Sequence, residues 1–281
     1  MFERFARSWT LVKASASVLK QDKELMLFPV ISVIASLLVV ASFVLPLFGL
    51  LDLKALEQGE REPVWLYGWV FLFYLAQYFV IFYFNTALVG AAMIRLRGGD
   101  PTVSDGLQIA WSKVGTILGY ALIAATVGLA LRAIEERAGV IGKWVAGLLG
   151  AAWTVLTFLT VPVLVSRDVG PLEAVKESAL LLKKTWGENV IGQGGVGLVF
   201  GLLQFLVIVL TVAVLIAVVA IKSLFLIVSV IALGGLAMLV LALVQAALSG
   251  IYSAALYRHA MGEDSAGIDP GMLASAFAAK R

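Results

Sequence analysis

The stretch NVIGQGGVGLVFGLLQFLVIVLTVAVLIAVVAIKSLFLIVSVIALGGLAMLVLALVQAALSGIYSAALY, residues 189–257, runs for 69 positions with one formal charge, Lys222. A helical crossing of a bilayer takes roughly 20 apolar residues. The run is therefore long enough for two crossings, with Lys222 at the turn between them. In water, a very large core would be needed to hide so much apolar surface. The stretch reads as part of an integral membrane protein.

The same rule carries outward along the chain. Uncharged runs lie at 25–51, 64–94, 114–131, 144–166, 189–221 and 223–257. Each is long enough to cross, with 114–131 near the lower limit. Gly and Pro punctuate the gaps, and no alternation of apolar and polar residues suggests a barrel, so the crossings are expected to be helices. A break at Gly234-Gly235 would instead give a seventh crossing, at the cost of placing Lys222 inside the bilayer. Pro29, Pro46 and Pro162 are candidate kinks. The apolar run from Leu25 is too long for a cleaved leader, and no small-residue cleavage site is evident. The chain is thus expected to form one membrane domain over 1–281, with an N-terminal amphipathic helix at 1–24 and a tail at 258–281.

Composition agrees and excludes several function classes. Hydrophobic residues make up 61% of the chain and charged ones 14%, against about 45–50% and about 25% in soluble domains. There is no cysteine and one histidine, His259. That leaves no disulfide, no thiolate nucleophile and no multi-histidine metal site. A formal charge of +3 is small for nucleic-acid binding. No metal, cofactor or nucleic acid is expected. Counted by side, the N-terminus, 95–113, 167–188 and 258–281 carry 15 Lys and Arg, and the opposite loops carry 6. The positive-inside rule then places both termini in the cytoplasm. The segment 132–143 is the dissenting vote, with Arg132, Arg137 and Lys143 outside.

Three segments on the cytoplasmic side share a pattern. Phe2, Phe5, Trp9, Val12, Ala16 and Leu19 form one helical stripe; Val103, Leu107, Ala110 and Val114 form a second; Leu172, Val175, Ala179, Leu182 and Trp186 form a third. Thr102 and Asp105 have capping-box spacing, with Asp in place of the usual Glu, and Pro171 suits a first helical turn. Each stripe is read either as an amphipathic helix in the headgroup plane or as a helix packed on the end of the bundle. Each also precedes a pair of crossings. Even-numbered crossings end alike, at Arg95, Arg167 and Arg258, with acids following at Asp100 and at Glu263-Asp264. Three surface-helix-plus-hairpin units suggest a pseudo-threefold repeat about the membrane normal.

The third unit reads Arg167-Asp168-Val169-Gly170-Pro171-Leu172-Glu173-Ala174-Val175-Lys176-Glu177-Ser178, then Lys183-Lys184-Thr185-Trp186-Gly187-Glu188-Asn189. With Leu256-Tyr257-Arg258-His259-Ala260 and the tail from Ile268-Asp269-Pro270 to Ala276-Phe277, it resembles a prokaryotic family of multi-span membrane proteins known only as a domain of unknown function. The stretch from Ala174 to Trp186 more distantly resembles membrane domains attached to some glycerophosphodiester phosphodiesterases. The catalytic domain of those enzymes has no counterpart here, so no phosphodiesterase activity carries over. The resemblance implies a helical membrane fold and a prokaryotic inner-membrane location.

Inside the crossings, strongly polar side chains are few: Gln77 and Asn85 in the second, Gln193 and Gln204 in the fifth, Gln245 in the sixth. An amide in hydrocarbon must find a partner, so these line a ligand path or bond a neighbouring helix. The second crossing gathers 11 of the chain's 29 aromatics between Trp65 and Phe84. Trp65, Tyr67 and Trp69 suit the bilayer interface; deeper rings such as Tyr78 would line a pocket or pack on another helix. Gln77, Asn85, Gln204, Gln245 and Tyr78 are the candidate ligand-binding residues, and Arg95, Arg167 and Arg258 the candidate headgroup contacts. Small residues four apart (Ala242, Ala246, Gly250 and Ala254; Gly197 and Gly201; Gly115 and Gly119; Thr86 and Gly90) suit close helix packing, within one chain or between two. His259 is read as a helix-end histidine or a pH sensor.

The expectation is an all-α bundle of six transmembrane helices with three cytoplasmic surface helices. No nucleophile–base pair is visible, so an enzyme is not expected. Two roles fit: a non-enzymatic envelope-organising or partner-binding protein, oligomeric or with a membrane protein partner, or a transporter or channel for a lipid-like or weakly polar solute. Membrane lipids are partners in either case. Substrate, partner and oligomeric state cannot be read from the residues.

Overall fold

The uncharged runs fold as helices because a backbone surrounded by apolar side chains must satisfy its own hydrogen bonds. A computed structural model describes residues 2–50, 64–137, 139–186, 195–263 and 265, and among them it has helices and no strand. The order is α1 (Phe2–Gln21), a 3-10 turn η1 (Lys23–Met26), α2 (Leu27–Leu50), α3 (Val64–Leu96), α4 (Val103–Ser112), α5 (Val114–Arg137), α6 (Gly139–Leu156), α7 (Thr160–Ser166), α8 (Pro171–Trp186), α9 (Gly195–Val219) and α10 (Leu224–Ala260). Six segments are long and apolar enough to cross a membrane: Lys23–Phe48, Val64–Leu96, Val114–Arg137, Ile141–Ser166, Val199–Val219 and Leu224–Ala260. Gln193, the beginning of the fifth uncharged run and the tail beyond residue 265 lie outside the described residues.

Local chemistry explains most boundaries. Thr102 caps α4: its hydroxyl accepts from the Asp105 N–H (3.2 Å), and the Asp105 carboxylate accepts from the Thr102 N–H (2.8 Å). This is the capping box expected from the spacing. Those bonds hold the Asp105 carboxyl below its ordinary pKa. Gly98 and Gly262 end α3 and α10 at φ of 88° and 76°. The next N–H of each returns to a helix carbonyl, Gly99 to Ile94 (3.0 Å) and Glu263 to Arg258 (2.9 Å), a Schellman closure that needs a residue at ease with positive φ. Lys222 makes the turn between α9 and α10 at φ 55°, and α10 runs unbroken through Gly234-Gly235.

Two boundaries differ from the expectation. The third crossing, α5, does not stop near 131 but continues to Arg137. Arg132 pairs with Glu136 one turn on (2.8 Å) and donates to the Tyr74 hydroxyl (2.9 Å). The cations counted as an outer loop therefore ride on a helix end. The fourth crossing is broken into α6 and α7 by a turn at 157–159, just ahead of Pro162. Proline has no N–H to give and its ring crowds the preceding turn.

The described chain divides into two compact units, Leu27–Ala91 with Thr102–Leu182, and Met1–Met26 with Ala92–Pro101 and Lys183–Arg281. In the first, α2 and α3 are joined by Trp69 Nε1 donating to the Phe43 carbonyl (3.1 Å) and by Phe43 against Trp69 and Phe73. Helices α5 and α6 pack on each other. Small residues set the close approaches: Gly90 lies under Ile109, Gly119 under Pro171 and Gly128 under the Tyr78 ring. In the second unit, α1 packs on α9 and α10. Gly250 and Ala254 of the small stripe on α10 are buried, whereas Ala242 and Ala246 are exposed.

The stripe on α4 faces inward through the buried Ala110, whereas those on α1 and α8 sit elsewhere than expected. On α1, among residues whose side chains are described, Val12, Ala14, Ser15 and Val18 are buried and Ala16 and Leu19 half-buried. On α8, the buried line is Ala174, Ser178 and Leu182, and Leu172 is 71% exposed. Small side chains allow close approach, so among the described side chains the buried faces of α1 and α8 are rotated toward alanine and serine.

Candidate functional site

The candidate amides do not converge. On α3, Gln77 Nε2 donates to the Ser36 carbonyl of α2 (3.2 Å), and Asn85 is half-buried. Tyr78 stacks on Phe82 with ring centroids 5.7 Å apart, and Phe82 in turn stacks on Tyr120 of α5 at 4.3 Å. In the other unit Gln204 Nε2 donates to Gln245 Oε1 (2.9 Å), one amide on each arm of the α9–α10 hairpin. A groove of about 510 Å³ runs along this hairpin, lined by residues such as Leu206, Leu210, Leu236 and Val240, and none of the candidate amides lines it. Its chemistry is that of hydrocarbon.

Each of the three candidate headgroup arginines is engaged by an acid that follows it. Arg95 pairs with Asp100 (3.3 Å), Arg167 with Glu177 and Arg258 with Glu263 (2.9 Å). Arg95 also donates to the Gly99 carbonyl (3.1 Å) and to the Gln21 carbonyl at the end of α1 (3.2 Å). Lys113 spans the Arg167 carbonyl (3.1 Å) and Asp168 (3.2 Å). These side chains close the helix exits. Where the acid is fully exposed, as Asp100 is at 96%, the pair is limited to about 1 kcal/mol or less. His259 is half-buried at the end of α10.

Two polar groups carry more than the sequence indicated. Asp22 follows α1 and is 6% exposed. Its backbone N–H donates to the Val18 carbonyl (3.1 Å), and its Oδ2 is buried without a hydrogen-bond partner. Burial pushes the carboxyl above the ordinary range; the Arg95 guanidinium and the Glu24 N–H pull the other way. A carboxyl raised on folding contributes stability that is complete below its unfolded pKa, near 3.9, and lost as pH rises through the folded value. Asp22→Asn keeps an acceptor for the Glu24 N–H and removes the charge. Thermal unfolding of the detergent-solubilised chain should therefore show the variant more stable than wild type at neutral pH, with the gap closing on acidification. An equal or larger gap in acid would refute this account.

Ser178 is the second. In the broken fourth crossing, the Leu159 N–H donates to Ser178 Oγ (3.0 Å), and the Ser178 hydroxyl donates to the Leu156 carbonyl (2.6 Å). Ser178 and Leu159 are both 0% exposed. One hydroxyl thus bridges the gap in a helix 19 to 22 residues away. The sequence signal was Pro162 alone; nothing local to Ser178 announced a partner so far off.

Compared with known proteins, residues 64–267 match the family described as Family of unknown function (DUF6159). No curated protein and no solved structure matches the chain. The matched region takes in α3 to α10, the bridge at Ser178, the closures at Arg95, Arg167 and Arg258, and the Gln204–Gln245 pair. This chain belongs to that family of unknown function.

Proposed function

We propose that this protein is a non-enzymatic, multi-pass protein of the prokaryotic cell membrane, with both termini in the cytoplasm. Its role is to hold apolar helices, of a membrane partner or of a second copy of itself, against the α9–α10 hairpin. The observation that carries this reading is an open pair of glycines. Gly197 and Gly201 stand one turn apart on α9, both exposed, and a Cβ on either would meet nothing within 4 Å. Glycines that serve packing inside this fold, such as Gly106 and Gly234, are covered by a neighbouring side chain. In hydrocarbon, helices associate through close contact of small residues rather than through burial of leucine, so an uncovered pair is where a further helix fits. From 201 to 246 no residue is buried. The engagement of Gln77 with Ser36 and of Gln204 with Gln245 favours this reading over a polar path for a solute.

The test uses Gly197→Ile combined with Gly201→Ile. Because both positions face open space, the variant should reach the membrane and melt as wild type does. The chain has no cysteine, so Leu206→Cys gives a clean site for cross-linking in native membranes. A cross-linked polypeptide with wild-type glycines, lost in the double isoleucine variant, is the expected result. A purified chain that stays monomeric and cross-links to no polypeptide refutes the proposal.

A further inference from the structure

Helix α8 carries a face the bundle does not use. Leu172, Lys176, Leu180, Lys183 and Lys184 are all exposed, opposite the buried line of Ala174, Ser178 and Leu182. At 3.6 residues per turn, positions 172, 176, 180 and 183 form one strip. Leu172 is 71% and Leu180 56% exposed, an unusual place for two leucines on a helix facing water. Glu173 stands beside them, and Glu177, which borders the strip, is paired with Arg167; among the described residues no carboxylate pairs with Lys176, Lys183 or Lys184. The face is therefore apolar and cationic together.

Its depth comes from the Ser178 bridge. Ser178 bonds the backbone at Leu156 and Leu159, and Leu159 precedes Arg167 by eight residues, roughly 12 Å along a helix. The start of α8 is level with the flank of α5, where Pro171 covers Gly119. The middle of α8 thus lies beside the crossing helices, below their charged end, with its leucines turned outward.

We propose that this strip docks on the anionic phospholipid headgroups of the leaflet surrounding the bundle. Leu172 and Leu180 sit among the first acyl carbons. Lys176, Lys183 and Lys184 extend their aliphatic stems along that boundary and place their ammonium groups at the phosphates. Three cations on little more than two turns of helix, unpaired among the described residues, match a negatively charged surface, and each is worth about fivefold in affinity for it. The inference requires only that the long helices cross a bilayer; it is independent of what binds the α9–α10 hairpin.

The full chain, reconstituted in phosphatidylcholine bilayers containing traces of spin-labelled lipid, tests it. Spin-labelled phosphatidylglycerol should be motionally restricted by the protein in preference to spin-labelled phosphatidylcholine, and high salt should erode that preference. Replacing the three lysines by glutamine should lower the preference by at least about fivefold; replacing them by arginine should retain it. Melting temperatures identical to wild type separate loss of lipid contact from loss of fold. A glutamine variant with wild-type preference overturns the proposal. So does restriction of phosphatidylglycerol that millimolar inorganic phosphate abolishes while chloride at equal ionic strength does not, which would mark a soluble-anion site. Failure of hairpin cross-linking leaves this result untouched.

Discussion

Replacing Gly106 with alanine will destabilise the unit that holds α2 to α8 by about 2 kcal/mol. Gly106 lies in the first turns of α4, where its Cα faces α2 and α3. A Cβ there would stand 2.5 Å from Phe28 Cζ, 2.9 Å from Phe28 Cε1 and 2.7 Å from the Ala87 carbonyl oxygen. The Phe28 ring is 1% exposed and Ala87 0% exposed, so neither the ring nor the backbone can step aside. Helix α4 must lift instead; overpacking costs typically about 1–3 kcal/mol, occasionally more, and contacts of 2.5 Å and 2.7 Å against buried groups put this one at the upper end. Alanine returns roughly 1 kcal/mol of helix propensity, which the clash outweighs. Thermal unfolding in detergent reads the loss. Gly115→Ala is the control, because its Cβ would meet open space and should be neutral or mildly stabilising. Equal behaviour of the two variants would mean that α4 does not sit against α3 this closely.

Ser178→Ala is expected to cost a similar amount, about 2–4 kcal/mol, by a different route. It strands the Leu159 N–H and the Leu156 carbonyl together, and an unsatisfied buried polar group costs about 1–3 kcal/mol. With hydrocarbon outside, water is a poor substitute. Ser178→Cys, which keeps the volume and a weak donor, should fall between wild type and alanine. Hydrogen exchange localises the effect: the Leu159 amide should lose protection before the amides of α6 do. A variant as stable as wild type, with Leu159 still protected, would show that the break closes without the hydroxyl.

These two residues mark where sequence reading stops. Hydropathy located all six apolar helices, since a run without charge has few alternatives to a membrane helix. The Thr102–Asp105 cap and the turn at Lys222 were legible too, because both depend on residues adjacent in the chain. The extension of α5 to Arg137 was hidden by counting charge as loop; Arg132 and Glu136 favour helix through their i, i+4 pair. Part of the buried faces of α1 and α8 escaped because periodicity was tracked on apolar bulk, while among the described side chains Ala14, Ser15, Ala174 and Ser178 are buried beside Val12 and Leu182. Among the candidate site residues, Gln204 and Gln245 do meet. Their 41-residue separation follows from the hairpin, but the register that aligns them does not. Asp22 and Ser178 gain their importance from burial and from distant partners, and no local pattern encodes either.

Lys222 has a consequence for how the hairpin floats. A non-glycine residue at φ 55° carries a conformational penalty of roughly 1–2 kcal/mol, which glycine at the same point would avoid. The turn nonetheless holds a lysine, at the tip of two long apolar helices. In a bilayer its ammonium acts as a buoy: sinking it to mid-depth costs about 2.5–3.5 kcal/mol. The waterline of α9 and α10 is therefore set from their tip, which keeps the Gln204–Gln245 rung and the open Gly197 and Gly201 at a constant draught.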